Sequence, residues 1–250
     1  MSSRLIEELS PELDVAWTDD LWWRFMKEFW ERRPTRLPMF DSGPIASLKE
    51  LFELVVSMRG TDRLSADRLW IARRDPPRDR IEDFLQASLD LMGPQSADGG
   101  FDGFFDRLGA RKGGANIHRL HTHRPLLLTR ISELISRIEE RHADTIQRWD
   151  LDTFFGNYRV TPFGIHRDEA SVFSFCMLGE RIYYTWPPDY AWPSDDLYTP
   201  DPGRLADHLS RGERFVVRAG QLFYWPSNRW HVVVTGGQPS VVLQASAYIK

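Results

Sequence analysis

Three side chains of this 250-residue chain combine metal-holding donor types with placement at strand-like runs. His166 and Asp168 stand two positions apart in "GIHRDEASVFSF", just ahead of an apolar run, and His231 follows Trp230 in "PSNRWHVVV". Residues i and i+2 of a strand point to the same face, so His166 and Asp168 can reach one ion from a strand end. A lone His-x-Asp also occurs in solvated turns and decides nothing by itself. His231 adds the third donor, 63 residues beyond Asp168, at the start of another strand-like run. Two imidazoles and one carboxylate with open coordination positions form the facial triad of non-haem Fe(II) oxygenases, whose open positions can take a chelating co-substrate and dioxygen. The same donors suit Mn, Ni, Co or Zn.

The elements that must position this triad fall into two groups. Before residue 150 the pattern is mostly helical. Residues 19–31, "DDLWWRFMKEFWE", place Leu21, Trp22, Phe25, Met26, Phe29 and Trp30 on one helix face. Residues 47–59 open with the capping pair Ser47 and Glu50 and stop at Gly60. The spacing predicts further helices over 79–92 and 124–142, strands over 68–74 and 115–120, and a turn-rich loop over 93–103. From about residue 150 the chain changes to short β-type runs broken by Gly, Pro and Asn, with one short helix near 203–211. Short strands at close spacing argue for a sandwich or jelly roll, which brings early and late strands side by side. The fold class is α+β, with residues 1–111 a mainly helical part packed on a β-core of residues 112–250, as one continuous body.

Composition narrows the function classes. The net charge of −4 gives no support for nucleic-acid binding. The arginines at 32, 33, 36, 73, 74 and 78 have acidic neighbours and read as solvated surface. Cys176 is the one cysteine, so no intramolecular disulfide forms, and it reads as a small core residue rather than a nucleophile. The N-terminal "MSSRLIEELSPELD" has no apolar leader region, and no stretch nears the roughly 20 apolar residues of a membrane span. A cytoplasmic protein that engages neither membrane nor nucleic acid is expected. Ten Trp and fifteen Phe imply a thick aromatic core, a large pocket, or both. Neither a Gly-rich phosphate loop nor a Gly-x-Ser-x-Gly elbow occurs.

"TPFGIHRDEASVFSFCMLGERIYYTWPPD" followed by "RAGQLFYWPSNRWHVV" resembles the JmjC-type, cupin-like 2-oxoglutarate oxygenases. The similarity is greatest to the asparaginyl hydroxylase of hypoxia-inducible factor and to the ribosomal oxygenases. It covers about residues 112–250, and "EFWERRPTRLP" resembles the entry segment of such domains. The resemblance implies a double-stranded β-helix (cupin or jelly-roll) core, Fe(II) held by His166, Asp168 and His231, and 2-oxoglutarate as co-substrate. Oxidative decarboxylation to succinate and CO2 would accompany hydroxylation of a peptide or protein side chain. The family's co-substrate lysine falls where this chain has Arg181, a departure that keeps the charge and gains a bidentate fork. Thr161, Asn157 and Ser246 fall at further co-substrate positions, with two extra residues between Thr161 and His166. Alternation in "RIYY" puts Arg181 on one face with Tyr183. The family's C-terminal dimerisation and winged-helix segments have no counterpart in the matched stretch, so oligomeric state is left open.

Three rival readings stand beside this one. The chain could hydroxylate a free amino acid or natural-product intermediate. It could be a cupin-like module that binds without turnover. A metal-dependent isomerase or lyase on the same barrel would not need a cation such as Arg181 for a second carboxylate. A competing metal cluster, His118, His121 and His123, lacks a carboxylate at ligand spacing and reads as a polar turn. Substrate choice is expected in the loops 93–114 and 187–204.

Overall fold

Helix α1 (Asp19–Glu28) begins where Thr18 accepts a hydrogen bond from the Leu21 amide, and α2 (Leu48–Ser57) where Ser47 accepts from Glu50. The computed structural model describes residues 17–39, 45–58, 68–72, 84–87, 92–190 and 202–250, with backbone alone at 68–72, 84–87 and 202–204. The N-terminal segment "MSSRLIEELSPELD", Gly60, the arginines at 73, 74 and 78, and most of the 187–204 loop lie outside the described residues. The remaining helices are α3 (Phe101–Leu108), α4 (Leu126–Arg130), α5 (Ser132–His142) and α6 (Pro202–Leu209).

Strands β1 (Thr35–Leu37), β2 (Arg68–Ala72), β3 (Phe84–Ala87), β4 (Gly113–Ile117), β5 (Ile146–Gly156), β6 (Ala170–Leu178), β9 (Leu222–Trp225) and β11 (Ser240–Ile249) build one sheet in the order β1-β9-β6-β11-β5-β4-β2-β3. Strands β7 (Glu180–Trp186), β8 (Glu213–Arg218) and β10 (Trp230–Val234) build a second sheet, β10-β7-β8. Every pairing is antiparallel. The chain is thus a mixed helix and antiparallel-sheet protein, and strands from before residue 112 join the same large sheet.

Each face of the large sheet has its own apolar layer. One face packs against the helices, where Phe25 and Trp30 meet Phe173 and Tyr224; the Phe25 and Tyr224 rings are 4.9 Å apart. Such aromatic pairs add about 0.5–1.5 kcal/mol to the area they bury. The other face meets the small sheet through Val172, Cys176, Tyr183, Phe223, Trp225 and Val242. Burial pushes the Cys176 thiol up to about 11, which suits a core residue and not a nucleophile.

The structure corrects three sequence expectations. The helix expected over 79–92 is crossed by β3, because Phe84–Ala87 pairs with the otherwise open edge of β2; tertiary pairing overrides a short local period. The helix expected over 124–142 is two helices, broken at Ile131, where φ is −108° and ψ 13°; Leu127, Ile131 and Leu134 are all buried in the core. The loop expected over 93–103 holds a 3-10 turn at Ser96–Asp98 and the first residues of α3. Phe101, Phe104, Phe105 and Leu108 of α3 are buried at helical spacing, and Arg107 grips Asp98 at 2.6 and 2.7 Å. Gly103 reads as a loop signal in sequence but is there for room, since a Cβ would lie 2.0 Å from the Asp98 carbonyl oxygen. Gly103→Ala should therefore cost about 1–3 kcal/mol, the usual penalty of overpacking. Urea unfolding should show it as a lower midpoint with an unchanged slope, and an unchanged midpoint would refute it.

Candidate metal centre

The Thr161–Gly164 turn closes with the Gly164 amide donating to the Thr161 carbonyl at 3.0 Å, and Gly164 takes φ +63°, a conformation natural to glycine. It delivers His166 to a reciprocal backbone pair with His231: each amide donates to the other's carbonyl, at 3.0 and 2.8 Å. That pair sets the two imidazoles on one face with ring centroids 4.3 Å apart. Asp168 is tied to the loop before His231 by the Asn228 amide, which donates to its carbonyl at 2.6 Å. One ligand atom from each of His166, Asp168 and His231 lies within 4.8 Å of the others, and among the described residues no other such group of three occurs.

The protons are arranged for metal binding. His166 Nδ1 meets the Gly164 carbonyl at 3.1 Å and His231 Nδ1 meets the Arg229 carbonyl at 3.0 Å. A carbonyl only accepts, so each Nδ1 carries the hydrogen and each Nε2 keeps its lone pair. Both Nε2 atoms face the Asp168 carboxylate, at 4.0 Å from His166 and 3.5 Å from His231. Burial lowers the His231 pKa below its ordinary value, and a charge on His166 lowers it further, against the pull of Asp168. The buried ring therefore stays neutral and ready to ligate.

A cavity of about 410 Å³ opens beside the triad. His166, Asp168 and Phe163 line one side, and Asn116, His118, Asp152, Gln244, Ser246 and Tyr248 another. Sequence reasoning missed most of this second wall. Asp152 accepts from the Arg119 amide at 2.8 Å, and His118 Nδ1 lies 3.4 Å from it. His121 lies 3.9 Å from Asp150, and burial lowers its pKa against that carboxylate's pull. Two of the three cluster histidines thus have carboxylate partners on β5, His118 with Asp152 and His121 with Asp150, rather than a shared metal geometry. Asp150 and Asp152 stand i and i+2 in a strand buried on both faces, a burial that shows only in the folded sheet. No residue of 93–114 lines this cavity.

The remaining site residues fall in different places. Ser246 lines the cavity. The Thr161 hydroxyl is buried and has no hydrogen-bond partner among the described residues, while the Thr161 amide is held by the Val233 carbonyl at 2.9 Å, two residues beyond His231 on β10. Asn157 does not reach the cavity: its amide accepts from Gly113 N and donates to the Arg111 carbonyl, both at 2.9 Å, stitching β4 to the end of β5. Arg181 shares its face with the buried Tyr183, as alternation requires. Its guanidinium donates to Ser240 Oγ at 3.2 Å, to the Phe154 carbonyl at 2.9 Å and to the Tyr158 hydroxyl. Glu180 pairs instead with Arg218 at 2.9 Å. Arg181 is 1% exposed, has no carboxylate within salt-bridge distance among the described residues, and stands behind the cavity wall. A layer of Tyr183, Ser174 and Gln244 stands one strand step nearer the triad, with the Tyr183 and Ser174 hydroxyls 2.8 Å apart.

No protein-family model matches the sequence, and no curated protein matches it. Solved structures do match. YcfD of Escherichia coli superposes with a TM-score of 0.52 at 15% identity, over 92% of this chain and 52% of that one. YcfD described as a ribosomal oxygenase in complex with cobalt and 2-oxoglutarate gives 0.51 at 16% identity, over 92% and 51%. The complex with cobalt and succinic acid gives 0.50 at 16%, over the same shares. The chain shares the fold of these solved structures. It spans about half the length of those proteins. The JmjC-type resemblance read from "GIHRDEASVFSF" and "PSNRWHVVV" is thus matched at the level of fold. No helix of the described residues is long and apolar enough to cross a membrane.

Proposed function

We propose that the chain is an Fe(II)- and 2-oxoglutarate-dependent oxygenase that hydroxylates a peptide or protein side chain. The observation that carries this reading is the pairing of a converged His166–Asp168–His231 triad with Arg181, a buried guanidinium without a carboxylate partner. An uncompensated buried cation is costly, and a dicarboxylate co-substrate would relieve it. The isomerase and lyase readings give no reason for that cation. The two sheets then act as the halves of a double-stranded β-helix, with the triad at one end and Arg181 deeper inside. Solved structures of similar fold hold cobalt with 2-oxoglutarate or succinic acid, which supports the same pair of ligands here.

The residues present fit such a group. His166 and His231 offer free Nε2 lone pairs, Asp168 offers its carboxylate, and the orphaned Thr161 hydroxyl lacks only a partner. When bound, Fe(II) with 2-oxoglutarate and dioxygen supplies the oxidation that releases succinate and CO2 and leaves a hydroxyl on the substrate. The chain's own residues orient and select. Arg181 would hold the distal carboxylate once the Tyr183–Ser174 layer admits it, and Thr161 and Ser246 would donate to oxygens nearer the metal. The facing wall is rich in acceptors: the Asp152 carboxylate and the buried Asn116 Oδ1, which has no partner among the described residues. That wall suits a substrate group bearing N–H donors. A cytoplasmic location accords with the single buried cysteine.

Purified protein given Fe(II), 2-oxoglutarate and oxygen should form succinate, followed by NMR, and the rate should rise with a peptide pool more than with free amino acids. A rise only with free amino acids would move the substrate class to small molecules. No succinate with either, together with 2-oxoglutarate binding that survives chelation of the metal, would establish a non-catalytic module instead.

A further inference from the structure

Glu31 is left in an unusual state by the fold. It follows α1 with φ +53°, a left-handed conformation that costs a bulky residue free energy and that glycine or asparagine would adopt more readily. The conformation aims its carboxylate at the outer side of the large sheet. There Oε1 accepts from the Ser171 hydroxyl and from the Ser227 amide, at 3.4 Å for the latter, and Oε2 accepts from the Ser227 hydroxyl at 2.5 Å. The Glu31 amide donates to the Tyr224 hydroxyl at 2.9 Å, and that hydroxyl lies 3.0 Å from Ser171 Oγ. Burial holds the Tyr224 phenol well above its usual range, helped by the Glu31 charge, so the network keeps its proton.

The two serines belong to the two segments that carry the metal ligands. Ser171 lies three residues after Asp168, and Ser227 four before His231. The same two segments are joined once more by the Asn228 amide on the Asp168 carbonyl. One carboxylate from the N-terminal part thus bolts together, from behind, the pieces whose separation sets the span of the triad. Resting on the metal-site reading above, we infer that Glu31 is a positioning residue for the metal centre: through Ser171 and Ser227 it fixes the approach of Asp168 to His231. Loss of groups that orient metal ligands typically weakens metal binding about 10–100-fold.

The test is Co(II) binding to metal-free protein, by calorimetry and by the visible absorption of bound cobalt. Glu31→Ala and Glu31→Gly should both raise the Co(II) Kd about 10–100-fold and shift the cobalt spectrum. Their Tm values should differ, because glycine accepts the left-handed backbone and alanine does not. Glu31→Gln should recover most of the affinity, since its amide oxygen can accept from Ser171 and its NH2 can donate to Ser227 Oγ. Thr18→Ala, which uncaps α1 far from these loops, should lower Tm and leave the Co(II) Kd unchanged. If Glu31→Gly binds Co(II) like the wild type, or if affinity tracks Tm across all four variants, Glu31 is only a structural residue and the inference fails alone. If the wild type takes up no Co(II), the metal-site reading falls and takes this inference with it.

Discussion

Alanine at His166, Asp168 or His231 abolishes succinate formation and weakens Co(II) binding by more than about 100-fold, because losing even an outer partner of a metal ligand costs 10–100-fold. The fold survives in His166→Ala and Asp168→Ala, whose side chains line the cavity, while His231→Ala removes a buried ring packed against Trp225 and lowers stability more. His231→Ala carries a second signature in the metal-free protein. The folded state resists protonating His231, through burial first and then His166, so its pKa lies below the ordinary value of 6.5. Below pH about 6.5 the unfolded chain binds more protons at this site than the folded chain, so stability is present above that pH and falls as the solution is acidified. His231→Ala removes this contribution, so the variant should lose less stability than the wild type between pH 7 and pH 5 in denaturant titrations. Retained turnover in any of the three variants, with normal metal content, would end the oxygenase reading.

Arg181→Ala raises the 2-oxoglutarate KM by about ten- to 150-fold, the equivalent of the roughly 1.5–3 kcal/mol of a charge-assisted hydrogen bond. Arg181→Lys recovers part of the loss, keeping the charge and giving up the fork. Arg181→Ala also lowers stability, because it empties a fully buried site and strands the Ser240, Phe154 and Tyr158 acceptors, so KM is compared at a temperature where the variant is folded. Tyr183→Phe offers a useful contrast, as it opens the hydroxyl pair with Ser174 that stands in front of Arg181. A KM for 2-oxoglutarate that does not move in Arg181→Ala, while substrate affinity falls, would reassign the arginine to substrate.

What the sequence showed of the site was what chain-local chemistry can encode. His166-x-Asp168 and Trp230-His231 were legible because donor type and strand spacing define them. The inward turn of Arg181 followed from alternation in "RIYY", and the buried strands after residue 150 announced themselves by β-branched and aromatic runs. The Asp152, Asn116 and His118 wall was not legible, because it exists only once β4 and β5 are in register and Asn116 faces Phe154. Likewise the depth of Arg181 behind Tyr183 and Ser174 depends on how two separate sheets meet. Helix α3 was hidden by Gly99, Gly100 and Gly103, which look like a loop until Asp98 is seen lying against the helix. Strand β3 is four residues at a sheet edge, too short for a local period to register.

The place of β11 in the large sheet has a consequence for biosynthesis. It is inserted between β5 and β6, pairing Ser246 with Asp150 on one side and with Val172 on the other. A ribosome that has not yet delivered residue 240 holds a chain whose sheet is split, with the aspartate wall on one fragment and the metal-binding turn beside the other. Closing such long loops is slow and leaves strand edges open in the meantime. The large sheet can therefore be completed only after β11 has been synthesised, while the second sheet, β10-β7-β8, does not include that strand.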